Sequence, residues 1–229
     1  MKRIILSLIA ITAMPFAVMA QPEAGTFSII PRIGVTLSKL SDDKLNVSQD
    51  FSLSSKYKPG MMVGADFEYQ LTDMLALSVG AFYSQQGNKY DDYTEAHDLS
   101  TKKWSEIRDI KNKYDYINVP IMFSVYGAKN LAFKLGAQFG FNTHASTEMT
   151  TATFVRSEDG NASTESVEKS KGDMAVKKFD FSIPVGISYE YMNVIIEARY
   201  NLGLTKVYKY LDEGKNSVFS FTAGYRFKL

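Results

Sequence analysis

The chain has no cysteine, one tryptophan and only two histidines among its 229 residues. Without cysteine, stability has to come from strand pairing and packing rather than from disulfides. With His97 and His144 as the only side chains that titrate near neutral pH, general-base catalysis has few candidates. Charge of either sign is not in excess, since 26 basic residues stand against 25 acidic ones. That balance argues against nucleic acid as a partner.

Long apolar runs are also missing, except at the start. Residues 1–20 match a secretory signal peptide, in which Lys2 and Arg3 precede an apolar stretch and Ala20 fits a cleavage site. The alternative is an uncleaved membrane anchor, although roughly 20 apolar residues are usually needed to span a bilayer. No later run approaches that length. The sequence therefore predicts no membrane-spanning helix, and residues 21–229 are expected to form one domain.

The remainder of the chain shows an alternation of apolar and polar residues with a period of two, as in β-strands. The segment 217–229 shows it most clearly. Its apolar side consists of Phe219, Phe221, Ala223, Tyr225, Phe227 and Leu229. Its other side is small, polar or cationic. An apolar last strand is expected where that strand must seal against the first one and leave no open edge in lipid.

Seven further segments share this alternation: 27–38, 60–70, 74–85, 114–126, 131–143, 179–191 and 194–204. The connections between them are alternately long and short, as in an up-and-down barrel with its short turns at one rim. The sequence therefore predicts an all-β fold, an eight-stranded antiparallel up-and-down transmembrane β-barrel. We expect it in the cell outer membrane with both termini in the periplasm. Pro31 lies inside the first segment, and it argues against an interior strand there unless a bulge accommodates it.

A soluble barrel that turns its apolar face inward around a greasy ligand would show the same alternation. The polar face favours the transmembrane form, because most strands carry a glycine there and small residues suit a narrow interior. That face also carries both charge signs, with Asp180 and Lys228 among them. We expect a structural network of inward charges: Arg32, Asp66, Glu68, Lys134, Glu190, Glu197, Arg199 and Arg226. A filled interior of this kind leaves no open channel.

The signal peptide, the eight segments and the ending Tyr225-Arg226-Phe227-Lys228-Leu229 together resemble a small outer-membrane β-barrel. Residues 116–121 are similar to a fourth-strand pattern in the PorT-like and general outer-membrane-barrel families of Bacteroidetes, and residues 34–38 resemble those families too. The resemblance implies a lipid environment and a signal for the barrel-assembly machinery carried by Tyr225, Phe227 and Leu229. PorT itself is associated with type IX secretion.

Candidates for chemistry are few. His144 with Ser146 and Glu148 would supply the residue types of a rim-active lipid enzyme, but side chains so close in one extended segment need not converge on a common point. His97 lies among acidic residues without the spacing of a known cation site. We therefore expect no catalytic residue, no cofactor and no metal.

Function is then expected to lie in the long loops. Trp104, Tyr90, Tyr93 and Phe154 are apolar side chains in polar surroundings, and they suit either a protein partner or packing of the loops on each other. The sequence predicts a structural or interaction protein. The alternative is a non-enzymatic component of a secretion or transport assembly, and a lipid-modifying enzyme is the third hypothesis.

Overall fold

The computed structural model of the chain describes residues 23–48, 51–96, 103–128, 130–156, 162–210 and 213–229. The predicted signal peptide and His97 lie outside these ranges. The described residues form thirteen strands: β1 (Phe27–Ser41), β2 (Lys44–Asn46), β3 (Ser52–Ser54), β4 (Lys56–Thr72), β5 (Leu75–Lys89), β6 (Tyr93–Ala96), β7 (Lys103–Ala128), β8 (Leu131–Arg156), β9 (Ala162–Asp173), β10 (Phe179–Tyr191), β11 (Val194–Lys206), β12 (Lys215–Tyr225) and β13 (Phe227–Lys228). Within the same ranges, no helix has the length and apolar character needed to cross a membrane.

Eight of these strands form a closed antiparallel ring. In order around the ring they are β1, β4, β5, β7, β8, β10, β11 and β12. The ring closes because β12 pairs with β1, from Arg32 opposite Gly224 to Ser41 opposite Lys215. Each strand is thus paired on both sides, and the predicted eight-stranded up-and-down barrel is confirmed.

The barrel is apolar outside and polar inside. Ile33 and Val185 on the outer face are 61% and 51% exposed, whereas Arg32, next to Ile33 in the chain, is 3% exposed. In water, exposed apolar area costs about 25 cal/mol per Å², so a wall of such residues is stable where lipid covers it. The soluble alternative, with its apolar face inward, is excluded by this arrangement.

Prolines lie inside four of the barrel strands, and each interrupts hydrogen bonding on one side only. Pro31 is opposite Ala65 of β4, while the pairing with the last strand skips from Ile29 to Arg32. Pro120 and Pro184 leave equivalent gaps towards β5 and β8. Because a proline has no N–H to donate, each proline in a sheet removes at least one inter-strand hydrogen bond. The bulge expected at Pro31 is absent, and only Pro59 lies at a register shift.

Short turns connect the strands at the rim that holds the termini. Between β10 and β11, Met192 and Asn193 have φ values of 49° and 66°. Two such residues make the two-residue hairpin turn whose twist matches that of the strands. Between β4 and β5, the Thr72 hydroxyl accepts hydrogen bonds from the backbone N–H groups of Met74 and Leu75. Both turns lie where the sequence predicts them.

At the opposite rim, two long polar stretches predicted as loops are largely strands. β7 and β8 are each 26 residues long and pair with each other as far as Lys103 and Val155. β6 joins the free side of β7, and β9 joins that of β8. We call β6, β9, residues 103–113 of β7 and residues 144–156 of β8 the outer sheet. Its residues lack an apolar alternation because both of its faces lie beyond the apolar wall.

Candidate functional site

The lower half of the barrel interior, near the termini, holds a layer of charged side chains. Eight residues contribute to it, from β1, β4, β8, β10, β11 and the residue after β12: Arg32, Asp66, Glu68, Lys134, Glu190, Glu197, Arg199 and Arg226. We call them the ionic layer. Four are cations and four are carboxylates, so the layer is neutral. All eight are those that the sequence indicates, and the structure brings them together.

Glu197 is the centre of the ionic layer. Its carboxylate lies 3.1 Å from Nη1 of Arg32, 2.9 Å from Nζ of Lys134 and 2.5 Å from Nη2 of Arg199. The Glu197 side chain is 2% exposed. A carboxylate is stable at such a depth only when paired and hydrogen-bonded. Three cations around one anion, with further carboxylates beyond them, meet that requirement.

Arg226 connects the second half of the layer. Its Nη1 lies 2.7 Å from Oε1 of Glu68, and its Nη2 lies 3.0 Å from Oε2 of Glu190. The hydroxyl of Tyr126 accepts a hydrogen bond from Arg226 Nη2 at 3.2 Å and donates to Glu68 at 3.3 Å. Lys134, 4.0 Å from Glu68, links this half to Glu197.

Glycines make room for the long cationic side chains. Arg32 lies opposite Gly224 on one neighbouring strand and opposite Gly64 on the other. A Cβ atom at Gly224 would lie 2.7 Å from Cγ of Arg32 and 2.7 Å from a backbone oxygen. Gly186 likewise lies between Lys134 and Arg199. The glycines and cations of the polar face are therefore one packing arrangement in a narrow barrel.

Two charges predicted on the same face lie outside the ionic layer. Asp180 is buried nearer the opposite rim, where its carboxylate accepts a hydrogen bond from the Thr205 hydroxyl at 2.7 Å. Lys228 lies opposite Ser28 at the lower mouth and is exposed. Its position at the rim gives its ammonium group access to water.

The upper half of the interior holds a buried apolar cluster among polar side chains such as Asn216, whose amide donates a hydrogen bond to the Tyr116 hydroxyl. Its buried cluster, which we call the mouth cluster, consists of Leu40, Tyr114, Tyr116, Ala145, Val176 and Val207. Val207 belongs to the segment after β11, which folds back: its N–H donates to the Gly214 carbonyl and its carbonyl accepts from Lys177 N–H, both at 2.8 Å or less. The alternation of apolar and polar residues does not predict this cluster. Its signals in the sequence are Tyr114 and Tyr116 at the start of the segment 114–126 and single apolar residues in otherwise polar connections.

A polar group lies beside the mouth cluster. Tyr90 donates its hydroxyl to the carboxylate of Asp43, which also accepts from the Asn88 amide at 3.1 Å. Burial raises the pKa of Asp43 above its usual range, although the hydrogen bond from Tyr90 acts in the opposite direction. Tyr90 itself packs with Leu53 and Ile110. These contacts attach the β2–β3 hairpin to the barrel wall.

The residues considered for lipid hydrolysis do not converge. His144 is exposed, whereas Ser146 is buried and its hydroxyl has no hydrogen-bond partner among the described residues. The Glu148 carboxylate lies 2.6 Å from Nζ of Lys113 and 3.8 Å from Nζ of Lys171. The three side chains therefore do not form the hydrogen-bonded series of carboxylate, base and nucleophile that a hydrolase needs. Across the described ranges, no group of three or more potential ligands could hold a metal ion.

The outer sheet is held by side-chain contacts across its strands. The rings of Trp104 and Phe154 stack with their centroids 5.5 Å apart, and the Arg156 guanidinium lies over the Trp104 ring. Nζ of Lys103 lies 2.7 Å from the Glu165 carboxylate. Trp104 and Phe154 thus pack on each other, and Tyr90 and Tyr93 pack with aliphatic residues such as Leu53 and Ile110, as one of the two sequence hypotheses states.

An eight-stranded ring with an apolar exterior and a buried ionic interior is the architecture of a transmembrane β-barrel. Residues 19–209 match the family model described as the outer membrane protein beta-barrel domain, and the chain belongs to that family. It is therefore an outer-membrane protein. No curated protein sequence matches it.

Several solved outer-membrane barrels are similar in structure. Ail, the attachment invasion locus protein of Yersinia pestis, is 15% identical with a TM-score of 0.41, over 89% of this chain and 99% of Ail. Neisserial surface protein A is 16% identical with a TM-score of 0.42, over 88% and 97%. The outer membrane protease OmpT of Escherichia coli is 12% identical with a TM-score of 0.40, over 93% and 99%. At these values, none of the three indicates an activity for this chain.

Proposed function

We propose that this protein is a non-enzymatic interaction protein, a sealed barrel that holds the outer sheet above the membrane for a protein partner. The observation that carries the proposal is the length of β7 and β8, which continue well beyond the apolar wall as paired strands. Paired strands hold a surface in a fixed geometry, and a fixed surface loses less entropy on binding than a mobile loop.

Support for a sealed interior comes from its two layers. The ionic layer links strands that are not neighbours in the ring, and the mouth cluster lies in the other half of the interior. An eight-stranded barrel is only wide enough for its own side chains. In planar lipid bilayers, the purified protein should therefore give no stepwise ion conductance, and regular conductance steps would contradict a sealed barrel.

The edge of β9 is the part of the outer sheet best suited to a partner. β9 pairs with β8 on one side, no described strand pairs with its other side, and all twelve of its residues are exposed. An unpaired edge offers backbone N–H and C=O groups to an extended segment of another protein. We propose that the partner binds there by adding a strand.

Photo-crosslinking in intact cells tests this proposal. A photoreactive amino acid replaces Val167 on β9, which is 58% exposed, and in a matched control it replaces Val35, which is 51% exposed on the lipid-facing wall. Protein adducts should form from position 167 and not from position 35. Absence of adducts from position 167, under conditions where the probe is incorporated and the barrel is folded, would refute the proposal.

The same proposal places both termini and the short turns in the periplasm, and it assigns the assembly signal to Tyr225, Phe227 and Leu229, which are 42–73% exposed. The more specific alternative is a PorT-like component of a secretion assembly in Bacteroidetes. A photoreactive residue at Met192, which is 55% exposed in a short turn, separates the two. Adducts at Met192 but not at Val167 would favour the secretion assembly.

A further inference from the structure

A groove opens on the outside of the barrel where β10 begins and β11 ends. Lysines make up half of its lining: Lys177, Lys178, Lys206 and Lys209. None of the described residues that line it is acidic. Lys215 of β12 lies opposite Lys206 and adds a fifth cation beside the groove. A set of cations without a carboxylate among them indicates an anionic ligand.

The floor of the groove is apolar. Phe179 and Leu204, on the lipid-facing wall, are 47% and 42% exposed. They are the outermost apolar residues of their strands. Lys178 immediately precedes Phe179, and Lys206 lies two residues after Leu204. The groove therefore lies at the boundary between the hydrocarbon and the head groups, where lysines lay their stems on apolar surface and extend their charge to the interface.

The lysines of the groove differ from those of the outer sheet. On the outer sheet and beside it, Lys56, Lys103 and Lys113 each lie within 2.7 Å of a carboxylate oxygen. In the described parts of the chain, Lys177, Lys178 and Lys209 form no ion pair. Asp180, the nearest acidic residue in sequence to Lys178, faces inward and is held by Thr205.

We propose that this groove binds the phosphorylated head group of a membrane lipid. The lysines contact the phosphate, and an acyl chain of the same molecule lies over Phe179 and Leu204. A soluble anion would engage the lysines and leave the apolar floor uncovered. A soluble protein would have to enter the lipid boundary to reach that floor. Only a lipid supplies the anion and the apolar chain at the depth where each is needed.

Native mass spectrometry of the purified barrel in neutral detergent micelles, titrated with dioleoyl phosphatidic acid, tests the proposal. Each lysine near a membrane surface contributes about fivefold to the affinity for an anionic lipid. The variant Lys177→Gln/Lys178→Gln/Lys209→Gln should therefore bind on the order of 100-fold more weakly. The matched control Lys56→Gln/Lys103→Gln/Lys171→Gln removes the same charge from paired lysines and should change the affinity by less than about threefold.

Two further probes identify the source of the phosphate. Dioleoylglycerol has the same chains without the phosphate and should bind much more weakly, and glycerol 3-phosphate has the phosphate without the chains and should not compete. Equal binding of either probe, or unchanged affinity of the triple variant, would overturn the proposal. Heat-modifiable migration in gels checks that each variant is folded, and the single variant Lys178→Gln, with about a fivefold loss, replaces a triple variant that fails this check.

Discussion

Glu197 and Glu148 both contact more than one cation, but their surroundings are opposite. The Glu197 side chain is 2% exposed inside the barrel, with three cations around it. The Glu148 side chain is 31% exposed on the outer sheet, with Lys113 and Lys171 beside it. Removing one partner of a buried pair leaves an uncompensated charge, whereas water replaces a lost partner at the surface. The ion pairs of Glu197 should therefore contribute strongly to the stability of the barrel, whereas those of Glu148 should contribute little to the stability of the outer sheet.

The largest effect should come from Glu197→Gln. Because Arg32, Lys134 and Arg199 would keep their charges with too few carboxylates around them, the free energy of unfolding should fall by about 3–5 kcal/mol. Urea unfolding in detergent micelles, followed by tryptophan fluorescence, measures it. Glu148→Gln is the control and should cost less than about 1 kcal/mol. Equal losses in the two variants would contradict the comparison.

The mouth cluster should be intermediate. Leu40→Ala removes a side chain that is 2% exposed, and the cavity left should lower the free energy of unfolding by about 2 kcal/mol. The destabilisation should be largest in the mouth cluster itself. Amide hydrogen exchange at Val207, whose N–H donates to Gly214, should become faster. Leu37→Ala, on the lipid-facing side of the same strand, should leave exchange at Val207 unchanged. Equal acceleration by both variants would show that the mouth cluster is not a separate unit.

The Trp104–Phe154 stack should have a smaller effect. Phe154→Ala should loosen the outer sheet by about 1 kcal/mol, since an aromatic pair contributes about that much beyond its buried area. Trp104 is the only tryptophan, so the fluorescence spectrum reports on it alone. Its emission should shift to the red because the Phe154 ring no longer shields it from water. Phe141→Ala, on the lipid-facing wall, provides the control with unchanged emission. An unshifted spectrum for Phe154→Ala would mean that the stack does not shield Trp104.

The smallest effect should be the pH response of the outer sheet. The hydrogen bond from Lys113 lowers the pKa of the Glu148 carboxyl below its ordinary value of 4.5. Stability from a depressed carboxyl pKa is present above the ordinary pKa and is lost as the pH falls through the lowered one. Amide protection in β9 should therefore decrease by a few tenths of a kcal/mol below about pH 4.5. Glu148→Gln should remove this dependence, and a persisting response would assign it to another group.

Much of the barrel is predictable because two opposite environments act on alternate residues. Along β12, Phe221 faces lipid and Ser220 faces the interior, so the alternation of side chains predicts both the strand and the direction in which each face points. The members of the ionic layer follow from the same alternation, since inward charges in a narrow barrel must lie near one another. Which cation meets which carboxylate depends on strand register, and one sequence does not give the register.

The outer sheet and the mouth cluster were not predictable by the same means. β9 is exposed along its whole length, so its composition is that of a polar loop, and its pairing with β8 leaves no apolar pattern. Val207 and Leu40 are isolated apolar residues separated by long stretches of chain, and only the folded loop brings them together. The expectation of a bulge at Pro31 was wrong. A strand can lose one inter-strand hydrogen bond at a proline without inserting an extra residue.

Arg226 has a consequence for how the barrel is built. Its guanidinium contacts Glu68 and Glu190, which belong to strands that precede it in the chain. Until the final strand docks, both carboxylates lack this counter-charge inside a tube with little room for water. Completion of the cylinder and neutralisation of its lumen are therefore a single event. A seven-stranded intermediate is penalised electrostatically, which favours all-or-none closure over a stable open sheet in the bilayer.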